Sequence, residues 1–371
     1  MPPALFRPIR LRELELANRI VVSPMCQYSA DDGTASDWHL IHLGTLAMSG
    51  AALLIVEATG VEAVGRITPG CLGLYSDANE RALAPVVSAA RRYGSAALGI
   101  QLAHAGRKAS SRAPWDGGDL ILPQDGGWQP VAPSAVPQQP DEPAPHALER
   151  AEIDRIVARF AESAQRAHRL GFDAVELHGA HGYLMHEFLS PIANRRDDEY
   201  GGSLENRMRF PLAVFDAVRA VWPAEKPLGV RLSCADWVEG GWDLEQSVVL
   251  ARELKKRGCD WIDCSGGGVS PQQKIPLGPG YQVPFAERIR RETGIPTIAI
   301  GLITDPHQAE EIVASGKADM VALARGMLYD PRWGWHAAAA LGGTVHAPKQ
   351  YWRSVPREFA KTFANTRIGQ R

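Results

Sequence analysis

Long apolar runs are missing from this chain. The longest, Ala51–Val56, has six residues, whereas a helix that crosses a bilayer needs about 20. The opening stretch MPPALFRPIRLRELELANRI is charged throughout and lacks the apolar core of a secretion signal, so a cytoplasmic chain with no membrane partner is expected. An excess of charge of one sign is missing too. Against 40 Lys and Arg stand 42 Asp and Glu, and no basic block is interleaved with aromatics, which argues against a nucleic-acid partner. Cysteine is scarce and scattered. Cys26, Cys71, Cys234, Cys259 and Cys264 are odd in number and form no C-x-x-C pair. Neither a disulfide framework nor a structural zinc or iron–sulfur site is therefore expected, and free thiols fit a reducing compartment. Nor does G-x-G-x-x-G follow the first apolar run, which continues as VVSPMCQYS; an open sheet built to bind a dinucleotide would carry it there.

What is present is alternation. Eight short apolar runs, at 18–23, 52–58, 97–102, 174–178, 228–233, 261–265, 296–301 and 319–324, read as strands buried on both faces. Helical patterns lie between them. From about His146 to Leu170, Ile153, Ile156, Val157, Phe160, Ala164 and Ala167 share one face at helical spacing. Ser203 caps a second helix, and TDPH opens a third with Pro306 in its first turn. At 45% hydrophobic and 22% charged, the chain can bury a large core. These features predict an α/β fold, a TIM (β/α)8 barrel, forming one domain over residues 1–371; such barrels take about 250 residues plus insertions. The Pro/Gly-rich stretch 117–145 is too long for a plain connection, so an elaborated loop over the barrel mouth is expected after the third strand.

Functional residues of such barrels gather at the C-terminal ends of the strands. There stand Ser23, Pro24, Met25 and Cys26 with Tyr28 beyond, then Ala58, Gln101, the HGAHGY stretch with His178, His181 and Tyr183, Arg231, Ser265, Gly301, and Ala324 with Arg325. IGLIT and LARG, after the last two strands, match the phosphate site of this fold. Glycine lets the backbone approach an anion and Arg325 can fork to its oxygens; an ion pair with a helix carboxylate is the structural alternative. Gln101 and Arg231, placed inside apolar strands, could meet a planar heterocycle. An amide offers donor and acceptor, and a guanidinium stabilises developing negative charge, which is the equipment for a flavin. A buried polar network is the structural alternative. His178 and His181 could hold zinc, hold a substrate oxygen, or merely finish a strand. Zinc needs a third ligand, and His39, His42 and His104 form no H-E-x-x-H set, so no metal is expected. Glu187 and Asp197 read as packing or helix-end residues, and Glu205 with Arg207 as an ion pair near a helix start.

SPMCQYS, VEATGV, GRITPG, QLAHAGRKAS, HGAHGYLMHEFLSP, YGGSLENRMRF and ARGML follow one another from about Leu5 to Arg353. In that order they resemble the Old Yellow Enzyme family of FMN-dependent ene-reductases. Cys26, Tyr28 and His181 favour its thermophilic-like branch. The resemblance implies FMN, bound tightly without a covalent link, in contact with Ser23, Pro24, Met25, Cys26, Ala58, Gln101, Arg231, Gly301, Ala324 and Arg325. It implies that His178 and His181 bind the substrate's activating group and that Tyr183 donates a proton. Tyr28 and Cys26 then touch substrate, and Cys26 tunes the flavin. NADPH or NADH is the implied reductant, and the activated C=C bond of α,β-unsaturated carbonyl and nitro compounds the implied substrate, in ping-pong turnover. The branch also sends a C-terminal arginine into a neighbouring subunit's site. That places the tail 341–371 at an interface of a homodimer or homotetramer, with Arg353 as the candidate, although Trp352 departs from the usual neighbour. Two other classes compete: a metal-dependent barrel hydrolase using the His-x-x-His pair, and a non-catalytic FMN-binding protein.

Overall fold

All eight expected strands are present in the computed structural model, which describes residues 2–367; the last four residues of the 341–371 tail lie outside the described residues. The strands are β1 (Ile20–Val22), β2 (Leu53–Gly60), β3 (Ala97–Ala103), β4 (Ala174–Gly179), β5 (Leu228–Ser233), β6 (Trp261–Ser265), β7 (Thr297–Ala299) and β8 (Met320–Leu323). Each pairs in parallel with the next, and β8 returns to β1, closing a (β/α)8 barrel. Helices α1 (Asp37–Ala47), α2 (Asp77–Tyr93), α3 (Arg150–Arg169), α4 (Leu204–Val221), α5 (Leu244–Lys256), α6 (Val283–Thr293), α7 (Pro306–Ala314) and α8 (Trp333–Leu341) surround it. The caps follow the sequence: Ser203 accepts from the Asn206 amide and Asp305 from that of Gln308, with Pro306 as first helical residue. Helix α3 starts at Arg150 and not at His146, because His146–Ala147 pair instead with Val131–Ala132 of the excursion.

Strand residues alternate between two cores. Ile20, Val22, Leu54 and Val56 face the helices, whereas Val21, Leu53, Ile55 and Ala174 face the barrel interior. A hairpin, Ile9–Leu11 with Leu14–Leu16, plugs the interior from below with Leu11 and Leu16. The upper interior is different. There the inward residues are Gln101, Glu176, Arg231 and Asp263, all buried. Polar side chains thus fill the end of the barrel at which the βα loops meet. The excursion after β3 packs as well: the Trp128 indole donates to the Val64 carbonyl at 2.9 Å, and Trp115, just before the excursion, meets Tyr28 edge-on.

Candidate active site

The floor of the mouth is built in two layers by strand register. In the lower layer Gln101, Glu176, Gly229 and Trp261 stand side by side on β3, β4, β5 and β6. In the upper layer His178, Arg231 and Asp263 do the same on β4, β5 and β6. Gln101 donates to Glu176 at 2.8 Å, and Arg231 Nε lies 3.1 Å from Asp263. That N–H does not point at the carboxylate, so both Arg231 Nε and the Asp263 oxygens are buried without a hydrogen bond among the described residues. On β2 a bulge between Val56 and Ala58 re-aims Glu57. Its carboxyl accepts from the Gln27 amide at 3.1 Å and lies 3.4 Å from His39, which fixes the loop bearing Cys26 and Tyr28 from behind. The hydrogen bond to Cys71, then burial, pushes the Cys26 thiol well above its usual range.

Above this floor the loop after β4 brings three rings together. The His178 ring meets that of His181 edge-on at 5.1 Å and that of Tyr183 at 5.0 Å. Burial, with Arg231 close by, holds both imidazoles well below their usual value, so both are neutral at pH 7. Burial pushes the Tyr183 phenol well up, so it keeps its proton. His178 Nδ1 is buried without a partner among the described residues, and His181 Nε2 lies 2.7 Å from Ser265 Oγ. The backbone makes room for this arrangement. His181 sits in the left-handed region at φ 60°, and a Cβ on Gly268, of the loop after β6, would meet His181 backbone at 2.4 Å. Lys108 ties the two loops, donating to the carbonyls of His181 at 2.8 Å and Gly268 at 3.2 Å. Burial lowers its ammonium to about 8.

One cavity of about 350 Å3 runs from His181 and Arg231 to the ends of β7 and β8, and Ser23, Gly301, Ala324 and Arg325 also line it. Its volume suits a bound small molecule. Gly301 has φ 115°, open to glycine alone, and brings backbone close to the cavity. The amides of Arg325 and Gly326 open the short helix Arg325–Tyr329 and have no carbonyl a turn earlier. Arg325 is exposed and forms no ion pair among the described residues, so the helix-carboxylate alternative does not apply. A guanidinium and free amides at one end, with a buried amide and guanidinium near the other, fit a flat ring carrying a phosphate.

The remaining expected residues fall as follows. Pro24, Met25, Cys26 and Tyr28 lie half-buried on the loop after β1. Ala58 is buried opposite Gln101. Arg353 is exposed on a turn of the tail, outside this chain's own mouth, where the neighbouring Tyr351 packs on Trp335 of α8. Among the described residues no three His, Cys, Asp or Glu side chains are grouped to hold a metal, so the histidine pair has no third donor. The Glu205–Arg207 ion pair does not form: Arg207 turns inward to the carbonyls of Leu189 and Gly202 and to Gln246. Lys108, Glu176, Asp263 and Glu57 belong to the site and were not singled out from the sequence. Glu187 is fully buried behind the loop, accepting from the Arg107 amide at 2.8 Å.

Over residues 4–341 the sequence matches the family of FMN oxidoreductases described as NADH:flavin oxidoreductase / NADH oxidase. It is 48% identical to an NADPH dehydrogenase of Geobacillus thermodenitrificans, over 95% of this chain and 99% of that protein. Among solved structures it is similar to morphinone reductase, with a TM-score of 0.76 and 31% identity over 100% of this chain and 99% of the other. It is also similar to the old yellow enzyme homologue from Zymomonas mobilis, with a TM-score of 0.74 and 26% identity over 97% of this chain and 99% of that one.

Proposed function

This chain belongs to the NADH:flavin oxidoreductase / NADH oxidase family and is an NAD(P)H-dependent flavin oxidoreductase; from that premise we propose that it reduces the activated C=C bond of α,β-unsaturated carbonyl and nitro compounds. The observation that carries the reading is the ring cluster: two neutral imidazoles and a protonated phenol packed edge-to-face over a floor of Gln101 and Arg231. FMN, when bound, would supply the two-electron chemistry between the reductant, NADPH or NADH, and the alkene. Arg325 and the backbone at Gly301 would hold the phosphate, and Gln101 and Arg231 would meet the ring, with Ser23, Pro24, Met25, Cys26, Ala58 and Ala324 around it. On this reading the binding would be tight and non-covalent.

The protein side of the reaction follows from the geometry. Charge accumulates on the substrate's carbonyl or nitro oxygen as the double bond is reduced, and His178 and His181 donate hydrogen bonds to it. Neutral imidazoles are suited to this, since each offers one N–H without bringing a charge that would bind the ground state equally well. One such donor is worth about 3–4 kcal/mol in the transition state. Tyr183, held protonated, gives its proton to the α-carbon. Tyr28 and Cys26 wall the substrate. We assign the work to the cytoplasm, whose reducing conditions suit five free thiols. No helix among the described residues is long and apolar enough to cross a membrane. The chain acts as a homodimer or homotetramer, with Arg353 offered to a neighbour's mouth. In support, Leu40 and Ile41 of α1 and Tyr93 of α2 leave an exposed apolar hollow to which the tail contributes Tyr351, two residues before Arg353. Anaerobic oxidation of NADPH by the yellow purified protein with 2-cyclohexenone tests the activity. Flavin reduced by NADPH but not reoxidised by any activated alkene would refute it.

A further inference from the structure

The chemistry above uses Gln101 and Arg231 but leaves Glu176, on the strand between them, without a part. We propose that Glu176 is the positioning residue that decides which end of the Gln101 amide is left free on the floor beside Arg231, and thereby which ring edge is accepted. The inference rests on the FMN reading and deepens it. An ionised carboxylate only accepts hydrogen bonds. Both oxygens of Glu176 are engaged by donors: Oε1 by Gln101 Nε2 at 2.8 Å and Oε2 by the Trp261 indole at 3.1 Å. Trp261 reaches across two strands because Gly229, between them in register, has no side chain; a Cβ there would lie 2.0 Å from the indole.

Gln101 therefore cannot turn over. Reversal would set its carbonyl oxygen against a carboxylate oxygen, acceptor against acceptor, in a site that is 1% exposed at both residues. As it stands, no donor among the described residues is bonded to the Gln101 carbonyl. The floor thus offers an acceptor from Gln101 and a donor from Arg231. That pair matches an imide edge, N–H beside C=O, such as the pyrimidine edge of a flavin. A reversed amide would show donors at both places and favour a ring with adjacent acceptors. Burial and the Asp263 carboxylate push Glu176 up to about 8, against Arg231, Trp261 and Gln101. The lock is accordingly firm above that pH and loosened below it.

Titration of FMN into apoprotein, followed by quenching of flavin fluorescence, tests this at pH 9, with thermal unfolding of each apoprotein as the check on folding. In Glu176→Gln the new amide must turn its NH2 toward either Gln101 or Trp261, so Gln101 is free to flip. FMN binding weakens about 10- to 100-fold. The double variant Glu176→Gln with Trp261→Phe removes the competing donor, lets the introduced amide show its carbonyl to Gln101, and regains most of the affinity. The wild type binds FMN more tightly at pH 9 than at pH 7.5, and Glu176→Gln loses that difference. Equal affinity of wild type and Glu176→Gln at pH 9 overturns the proposal, as does a double variant no better than the single one. Failure of the wild-type apoprotein to bind FMN would instead bring down the functional reading, and this inference with it.

Discussion

His178 shows how one residue combines burial, neutrality and an unspent hydrogen-bonding atom. Its ring is 3% exposed, and Nδ1 has no partner among the described residues. A buried polar atom left without a partner costs about 1–3 kcal/mol, so the fold carries this nitrogen at a measurable cost. On the proposed reading, replacement by alanine removes a donor to the substrate oxygen. His178→Ala should lower kcat for 2-cyclohexenone about 100- to 1000-fold while the flavin absorbance of the purified protein persists. Because burial depresses both imidazoles, wild-type kcat/KM should show no inflection near pH 6.5 between pH 6 and 8. An inflection there would mean that a charged imidazole takes part. The pair itself was legible in HGAHGY, but its role was not. Whether a third donor stands beside the pair is a property of space, and among the described residues none is grouped with it.

At the level of elements, the mouth is an assembly of loops that approach within backbone contact. A Cβ on Gly182 would lie 2.1 Å from the Gly268 carbonyl, and one on Gly268 would strike His181, so these two loops touch through glycine on both sides. Gly268 also has φ 100°. Gly268→Ala should cost about 1–3 kcal/mol in unfolding free energy and lower turnover by shifting His181, which a urea titration run beside steady-state kinetics would register together. A stable, fully active variant would show that the loops can separate freely. The strands were legible because burial on both faces leaves continuous apolar runs, and Leu228–Ser233 and Trp261–Ser265 begin and end where the residues predict. Glu176 and Asp263 were overlooked, yet the signal was there. In AVELH the glutamate stands two residues before His178, and strand parity puts both on the same side. The start of α3 was not legible, since the two-residue pairing of His146–Ala147 with Val131–Ala132 is a contact without local periodicity.

For the molecule as a whole, buried titratable groups set the pH range of stability. Burial raises Glu187 to about 8, whereas an unfolded glutamate titrates near about 4.3. The folded chain therefore holds that proton where the unfolded one does not, and its contribution is lost as pH rises from about 4.3 to 8. The depressed histidines act in the opposite sense: below about 6.5 the unfolded chain takes up protons that the folded one refuses, so stability falls with acid. Between about pH 6.5 and 8 only the raised carboxyls of these two sets act. The apoprotein should melt at a lower temperature at pH 8 than at pH 6.5. Glu187→Gln keeps the acceptor for the Arg107 amide and should narrow that gap. A gap unchanged in the variant would place the effect elsewhere.

The three shortest strands of the ring, β1, β7 and β8, with three, three and four residues, lie side by side. Ser23 follows β1 directly, and Gly301 and Arg325 stand two residues past the ends of β7 and β8, so the FMN site proposed above straddles the join between the first and last parts of the chain. During synthesis Ser23 leaves the ribosome some 300 residues before Arg325, and no cofactor can be gripped until the polypeptide is nearly finished. Once held, a ligand there works as a clasp on the thinnest part of the wall. Amide hydrogen exchange should then slow most at 20–22, 297–299 and 320–323 on adding FMN, and least in the long strands β2 and β3, where the wall already holds itself.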